Sequence, residues 1–418
     1  MVDRRDFLKM GAVAAAAPLA PQLAMAQGQP GGKTGRAMAL RTETRRGFDQ
    51  AEFQGRVQRL RAGLRARKLD LLIIDDNEAT SYYFNHENSV GFYRAGLVPV
   101  EGEAFYVLRS LDVAPLRESS WVRDIVGFAD WEDAPTAVAA KIRQRGYDHA
   151  RIGVDFTSNA FTPHVLEALK RELPNAEFVD VDGLPRKQRK LKSKAEIEKL
   201  RKAAEIADVT IQEIARTVKT GLTAQDAQRI AIEAAIRLGV SPPIGSVFTI
   251  AKGWGFLHSD ASDEPLRQGD VLHIELLCSF DGYSARMMRE IVMGPISPQL
   301  DLISKKMIEL QDKQIAAMKP GAIAKDVDRI MRQGAIDAGI REDYTNITAY
   351  TLGYYPERIL RGSDFTWVFL PNSEWTLEEG MVFHVYTSGG GIAISETVLV
   401  GPNGGERLTK TARRLFRA

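Results

Sequence analysis

The chain has 418 residues, 44% hydrophobic and 26% charged, which suffices for one large domain or two ordinary ones with separate cores. Lys+Arg number 56 against Asp+Glu 54, a net charge of +2, so no strong field draws polyanions and nucleic acid is excluded as an expected partner. The one cysteine, Cys278, excludes an intrachain disulfide and thiolate zinc clusters, and six histidines leave little for a histidine-rich metal site.

The first stretch reads as an address. Arg4-Arg5 stands ahead of a modest apolar run, Met10 to Leu19, too short to span a bilayer, and Ala24-Met25-Ala26 offers small residues for cleavage before Gln27. A twin-arginine export signal over 1–26 is expected, hence a periplasmic protein with no membrane association after cleavage. Residues 27–44, rich in Gly, Pro, Lys and Arg, read as a linker. From residue 45, helical spacing of Phe53, Val57, Leu60 and Leu64 predicts a helix over 50–67, and Leu69 to Ile74 reads as a buried strand. Strands over 104–108, 152–155 and 178–181 alternate with helices over 134–145 and 163–172, an α/β layer ending near residue 190. Tyr82-Tyr83-Phe84 reads as core, and the basic run Arg186 to Lys192 as a solvated hinge.

The second half, 191–418, opens with Ser193-Lys194-Ala195-Glu196, a capping box, ahead of a helix whose Ile197, Leu200, Ala204, Ala207 and Ile211 share one face. A repeat offset by 100 residues follows: 221–240 and 321–340 agree at Gly221/Gly321, Asp226/Asp326, Arg229/Arg329 and Gly239/Gly339, among others. Each copy precedes strand-rich sequence, Val271–Phe280 in the first, Met381–Tyr386 with Thr397–Val400 in the second. Two such halves predict one curved antiparallel sheet under helices.

These segments carry a family resemblance. Ser193 to Ile197, Gly221 to Asp226, Gln268-Gly269-Asp270, Asp281-Gly282-Tyr283 and Glu379-Gly380-Met381-Val382-Phe383 resemble the signposts of the creatinase, prolidase and aminopeptidase P superfamily, in that family's order over about residues 50 to 410. The resemblance implies an α/β (α+β) fold class: an N-terminal creatinase-like domain and a C-terminal pita-bread domain with a pseudo-two-fold repeat. Peptidases of the family hold two metals with Asp, Asp, His, Glu and Glu. On this chain those positions fall on Glu275, Arg286, Tyr350, Tyr386 and Ser395, with Glu396 next to the last and able to stand in if the register shifts by one. A guanidinium amid two cations would be repelled by them, so no metal and no other cofactor is expected, and peptidase activity is not.

Creatinase, the metal-free member, offers the nearer pattern. Its general base and acid falls on His258, twelve residues before Asp270; its substrate-carboxylate arginine falls on Arg361; and a Phe-x-Arg segment from the partner subunit matches Phe92-Tyr93-Arg94. The last match implies a homodimer with shared sites. The glutamates that hold creatine's guanidinium have no counterpart, since Met287 and Tyr386 occupy their places.

The residues leave several roles open. An imidazole can take and return a proton near neutrality, which suits His258 as general acid and base; a core histidine donating to a backbone carbonyl is the plainer reading only without the match in spacing to Asp270, which favours the catalytic role. Glu275 either pairs with Arg286 structurally or joins the chemistry. His384 and Tyr386 alternate along one predicted strand and share a face, so His384 is a candidate for substrate binding. The main expectation is a metal-independent lyase that cleaves a C–C or C–X bond of a small aromatic or phenolic substrate, with Arg286, Tyr350 and Tyr386 stabilising the developing anion. The alternatives are a creatinase-like C–N hydrolase and an inactive protein that captures a small anion.

Overall fold

Asp49 accepts from the backbone N–H of Glu52 at 2.8 Å and starts α1 (Gln50–Ala66), whose Phe53, Val57, Leu60 and Leu64 are buried at the expected spacing. The structure, a computed structural model, describes residues 48–87, 91–240, 245–250, 258–356 and 363–418. The expected export signal, the linker and Arg361 lie outside the described residues.

The chain continues through β1 (Leu71–Ile74), α2 (Asn77–Phe84), β2 (Ala95–Pro99), β3 (Phe105–Arg109), α3 (Val113–Ser119), β4 (Asp124–Phe128), α4 (Ala134–Gln144), β5 (Arg151–Val154), α5 (Pro163–Glu172), β6 (Glu177–Asp180) and α6 (Leu184–Lys187). The strands form a mixed six-stranded sheet in the order β4-β3-β2-β1-β5-β6, parallel at β1/β5, β3/β4 and β5/β6. The apolar pattern locates β1, β3, β5, β6 and the helices α1, α4 and α5, but not β2. Gly96 and Pro99 make β2 a poor strand by composition, and Gly96 is there because the ring of Phe84 fills its side-chain space: a Cβ would meet Phe84 Cε2 at 2.1 Å.

The basic run at 186–192 is not a solvated hinge. Arg189 is buried, donating to Glu78 at 3.1 Å, to Asp364 at 2.9 Å and to the carbonyl of Tyr354 at 3.2 Å, so it ties α2 to a loop of the second half. Desolvation of a guanidinium is costly, and two carboxylates within reach are what let this one stay inside. Lys192 is buried as well and donates to the carbonyl of Lys190 at 3.0 Å. Burial pulls its ammonium down to about 8. Below that pH the lysine is charged both folded and unfolded, and folding bears the cost of burying the charge. As pH rises from about 8 toward 10.5 the folded chain has released the proton while the unfolded chain still holds it, so stability rises across that window. Lys192→Met is therefore expected to raise stability at pH 7 by about 1–3 kcal/mol and to flatten that rise, as read from urea midpoints at several pH values.

The second half comprises α7 (Lys194–Thr217), α8 (Ala224–Arg237), β7 (Gly245–Ile250), β8 (Val271–Phe280), β9 (Tyr283–Val292), α9 (Pro298–Ala317), α10 (Ala324–Asp337), β10 (Ala349–Thr351), β11 (Val368–Phe369), β12 (Val382–Gly389), β13 (Ile392–Val400), β14 (Gly405–Arg407) and β15 (Phe416–Arg417). The capping box at α7 is present: Glu196 N–H donates to Ser193 Oγ at 3.2 Å, and Ser193 N–H to Glu196 Oε2 at 2.8 Å. Glu196 Oε1 also accepts from Tyr283 at 2.9 Å, and Tyr283 accepts from Arg56 of α1 at 3.1 Å, a second link to the first half.

One nine-stranded sheet runs β11-β10-β12-β13-β9-β8-β7, with β14 on β13 and β15 on β9. The repeat is structural. Gly221 and Gly321 take φ of +90° and +87°, and their N–H groups donate to Leu266 and Leu377, each at 2.9 Å. The hairpins β8/β9 and β12/β13 meet at the seam between β9 and β13, where Met288 pairs with Ser395. On the back of the sheet Leu272, Ile274, Leu276, Cys278, Met287 and Ile291 pack on residues of α7 and α8. Burial pushes the Cys278 thiol up to about 12, which leaves it inert.

Candidate active site

Alternation along four strands assembles the concave face. Residues 273, 275 and 277 of β8, 286, 288 and 290 of β9, 393, 395 and 397 of β13, and 384, 386 and 388 of β12 point to one side, because each directly cross-paired set shares a face. His384 pairs with Tyr350 of β10 on one side and Thr397 on the other. Tyr386 pairs with Ser395, which pairs with Met288, which pairs with Glu275.

Glu275, Arg286, Tyr350, His384 and Tyr386 thus come together as expected. Arg286 forms an ion pair with Glu275 and donates to the Tyr350 hydroxyl. Burial works against the guanidinium's charge, but the Glu275 carboxylate and the phenols of Tyr350 and Tyr386 hold it above its ordinary value, so it stays protonated. The Tyr350 ring lies edge-on to His384 at 4.9 Å, and His384 stacks on Tyr386 at 5.3 Å with 15° between planes. Burial raises Tyr350 well above the phenol range and lowers His384 well below the imidazole range, helped by the charge of Arg286, so both are neutral. Tyr386 accepts from Asn346 at 2.9 Å, whose Oδ1 accepts from Arg341 at 2.7 Å. Asn346 and Arg341 were not legible as site residues, since they sit in a loop with no periodicity to mark them.

A cleft of about 570 Å³ opens onto this face between α8 and β7, lined by Glu275 and Arg286 within and by His258, Asp260, Gln228 and Arg229 at its mouth. His258 is exposed there and is not a core histidine. Arg229 is marked by sequence only as part of the repeat, and Gln228 not at all; Arg329 pairs with Asp326 just as Arg229 pairs with Asp226, a structural role in both copies. Phe92 and Arg94 do not line the cleft of their own chain. Phe92 is partly exposed against Phe128, with the Arg109 guanidinium 4.8 Å from its ring, and Arg94 lies near Asp75 in the first half.

The donor set does not fit a metal pair. A guanidinium and two neutral phenols stand beside Glu275, which is already paired, and Glu290, the further carboxylate on this face, lies 2.8 Å from His273. Glu396 does not compensate for Ser395: it points to the back of the sheet, accepting from Arg289 at 2.7 Å and from Thr409. Among the described residues no group of three or more His, Cys, Asp or Glu side chains could hold a metal ion. Among them, too, no helix is long and apolar enough to cross a membrane.

Comparison with known proteins places these features. The profile described as Metallopeptidase family M24 matches residues 198–402, and the Creatinase/Prolidase N-terminal domain matches 56–191. A twin-arginine translocation signal matches 1–21. The chain is 28% identical over 257 residues to an Xaa-Pro dipeptidase of Pyrococcus horikoshii, covering 60% of this chain and 71% of that protein. It is 24% identical over 403 residues to an ectoine hydrolase of Halomonas elongata, covering 88% and 98%. Among solved structures, the Pyrococcus horikoshii prolidase superposes with a TM-score of 0.73 at 23% identity, covering 86% of this chain and 99% of that one. Dipeptidase PepE from Mycobacterium ulcerans superposes with 0.75 at 22%, covering 88% and 99%. The relatives named here are hydrolases or peptidases, which favours the hydrolytic alternative over the expected lyase. The dipeptidase names run against the expectation that peptidase activity is lost; the substituted donor set is what speaks for it.

Proposed function

The chain belongs to the creatinase/prolidase/aminopeptidase P superfamily, and from that premise we propose that it is a periplasmic enzyme, exported by its twin-arginine signal and cleaved before Gln27, that hydrolyses a C–N bond of a small substrate with His258 as proton carrier and without a metal pair. The observation that supports this most is the Glu275–Arg286–Tyr350 network standing where the family's metal ligands fall. A likeness to ectoine hydrolase over 98% of that protein's length supports the reaction class.

The chemistry follows from the cleft. His258 takes a proton from water at the mouth, the oxygen attacks the acyl carbon, and the imidazolium returns the proton to the departing nitrogen as the C–N bond breaks. Arg286 and the Tyr350 hydroxyl, fixed in place by Glu275 and by burial, meet the negative charge that gathers on the acyl oxygen; such preorganised donors contribute several kcal/mol. For Phe92 and Arg94, which leave their own cleft alone, we retain the reading that they serve a second copy of the chain in a homodimer.

The test offers chelator-treated protein ectoine, creatine and an Xaa-Pro dipeptide in ¹⁸O-water. Turnover of a non-peptide C–N substrate that survives chelation is expected, with one solvent oxygen in the product that keeps the attacked carbon. Two tightly bound metal ions per chain on which dipeptide cleavage depends would overturn the reading, as would cleavage without incorporation of solvent oxygen.

A further inference from the structure

The loop that leads into β11 holds a bulky residue in a backbone conformation that suits glycine. Phe365 takes φ of +52°; the other non-glycine residues at positive φ among the described residues are Lys68, Asn85, Asp182 and Asp281. Asn and Asp tolerate the left-handed region, whereas a phenylalanine there is an outlier, disfavoured roughly 5- to 30-fold. Its neighbours hold it there. The Phe365 N–H donates to Ser363 Oγ at 3.0 Å, and that hydroxyl donates to the carbonyl of Thr351 at 2.7 Å. Asp364 accepts from the Thr366 N–H and from Arg189, each at 2.9 Å. The N–H and hydroxyl of Thr351 both donate to the carbonyl of Trp367, at 3.0 and 2.9 Å. Strain persists where the surroundings over-determine it in this way, and such residues cluster at functional sites.

What the strained turn presents is an aromatic ring. Phe365 lies 5.0 Å from the ring of Tyr350 with 54° between planes, yet 51% of the residue is exposed. One side of it thus rests on the phenol whose hydroxyl accepts from Arg286, and the remainder is open to solvent. A glycine or an asparagine would make the same turn at lower cost, so the turn alone does not account for a ring at this position. Asp364, the charged residue next to it, is turned to Arg189, which leaves the exposed surface of the ring apolar. In the hydrolase reading Arg286 and the Tyr350 hydroxyl meet the acyl oxygen and His258 serves the departing nitrogen, so a ring resting on Tyr350 stands beside the substituent of the acyl carbon. We propose that Phe365 is a specificity-determining residue whose exposed face receives that substituent, and that the substrate class is a C–N compound with an apolar, planar group on its acyl carbon. The proposal rests on the hydrolase reading only for which side of the bond the ring stands beside.

N-benzoylglycine and N-acetylglycine test this by calorimetry, since they share the amide and the carboxylate and differ only in the acyl substituent, phenyl against methyl. The benzoyl compound is expected to bind at least about tenfold more tightly, the gain from covering roughly 60 Å² of apolar surface. Phe365→Gly removes the ring and accepts the backbone of this turn; it should cut the preference to about threefold or less while leaving N-acetylglycine within about twofold. Phe365→Tyr keeps the aromatic face and should keep the preference. Equal binding of the two compounds, no binding of either at about 10 mM, a preference unchanged in Phe365→Gly, or an equal loss of both ligands in that variant would each overturn the proposal. Should Phe365→Gly fail to fold, Phe365→Asn carries the decision, because asparagine also takes the left-handed region. Neither chelation nor solvent oxygen enters this measurement, so its failure is distinguishable from failure of the hydrolase reading.

Discussion

His258→Ala is expected to lower turnover by about 10²–10⁴-fold while leaving KM within about threefold. The reason lies in where the side chain sits. It is exposed at the mouth of the cleft that Glu275 and Arg286 line, so its removal leaves no buried hole and no unpaired charge. A loss confined to kcat marks a group that moves a proton during the reaction, and that is the role the cleft geometry leaves to this imidazole. Wild-type kcat in His258→Ala would remove the proton carrier from the scheme and require another group at the mouth, with Asp260 next in line.

The second large effect is on stability. Arg286→Met strips the ion pair from Glu275, whose side chain is only 3% exposed, and leaves a carboxylate in low dielectric with no counter-charge. Breaking a buried pair from one side costs about 3–5 kcal/mol, whereas replacing both partners by neutral groups of similar size is often close to neutral. Arg286→Met should therefore lower the urea midpoint steeply, and adding Glu275→Gln should recover most of it. Activity should not return with stability, because the double variant lacks the guanidinium that meets the acyl oxygen. A double variant no more stable than the single one would show that the pair does not set the energetics of this face.

Much of the scaffold was legible because its signals are local. Capping at Ser193, the glycines at 221 and 321 and the apolar spacing of α1 each act over a few residues, and the pairing of the two repeat copies follows from their similarity. The concave face was legible only through alternation, which correctly put His384 and Tyr386 on one side, and through the family's spacing, which marked Glu275, Arg286 and Tyr350. What escaped was set by contacts distant in sequence. Arg189 looks like one more charge in a basic run until Glu78 and Asp364, far away along the chain, close on it. Glu396 could replace Ser395 on paper, but strand alternation turns it toward Arg289. Asn346 touches Tyr386 only because the loop that carries it folds back over the sheet.

The two faces of β8 have consequences for how such a protein can change. Ile274, Leu276 and Cys278 answer to the helices behind, while His273, Glu275 and Leu277 answer to the opening in front. Chemistry and scaffold are therefore interleaved one residue at a time yet scarcely constrain each other. Side chains toward the opening are replaceable without disturbing the layer that holds the strands, whereas deleting a single residue of β8 would exchange the two sets and put a carboxylate against α7. Divergence along this lineage is thus channelled into substitution and barred from small insertions or deletions within the strand.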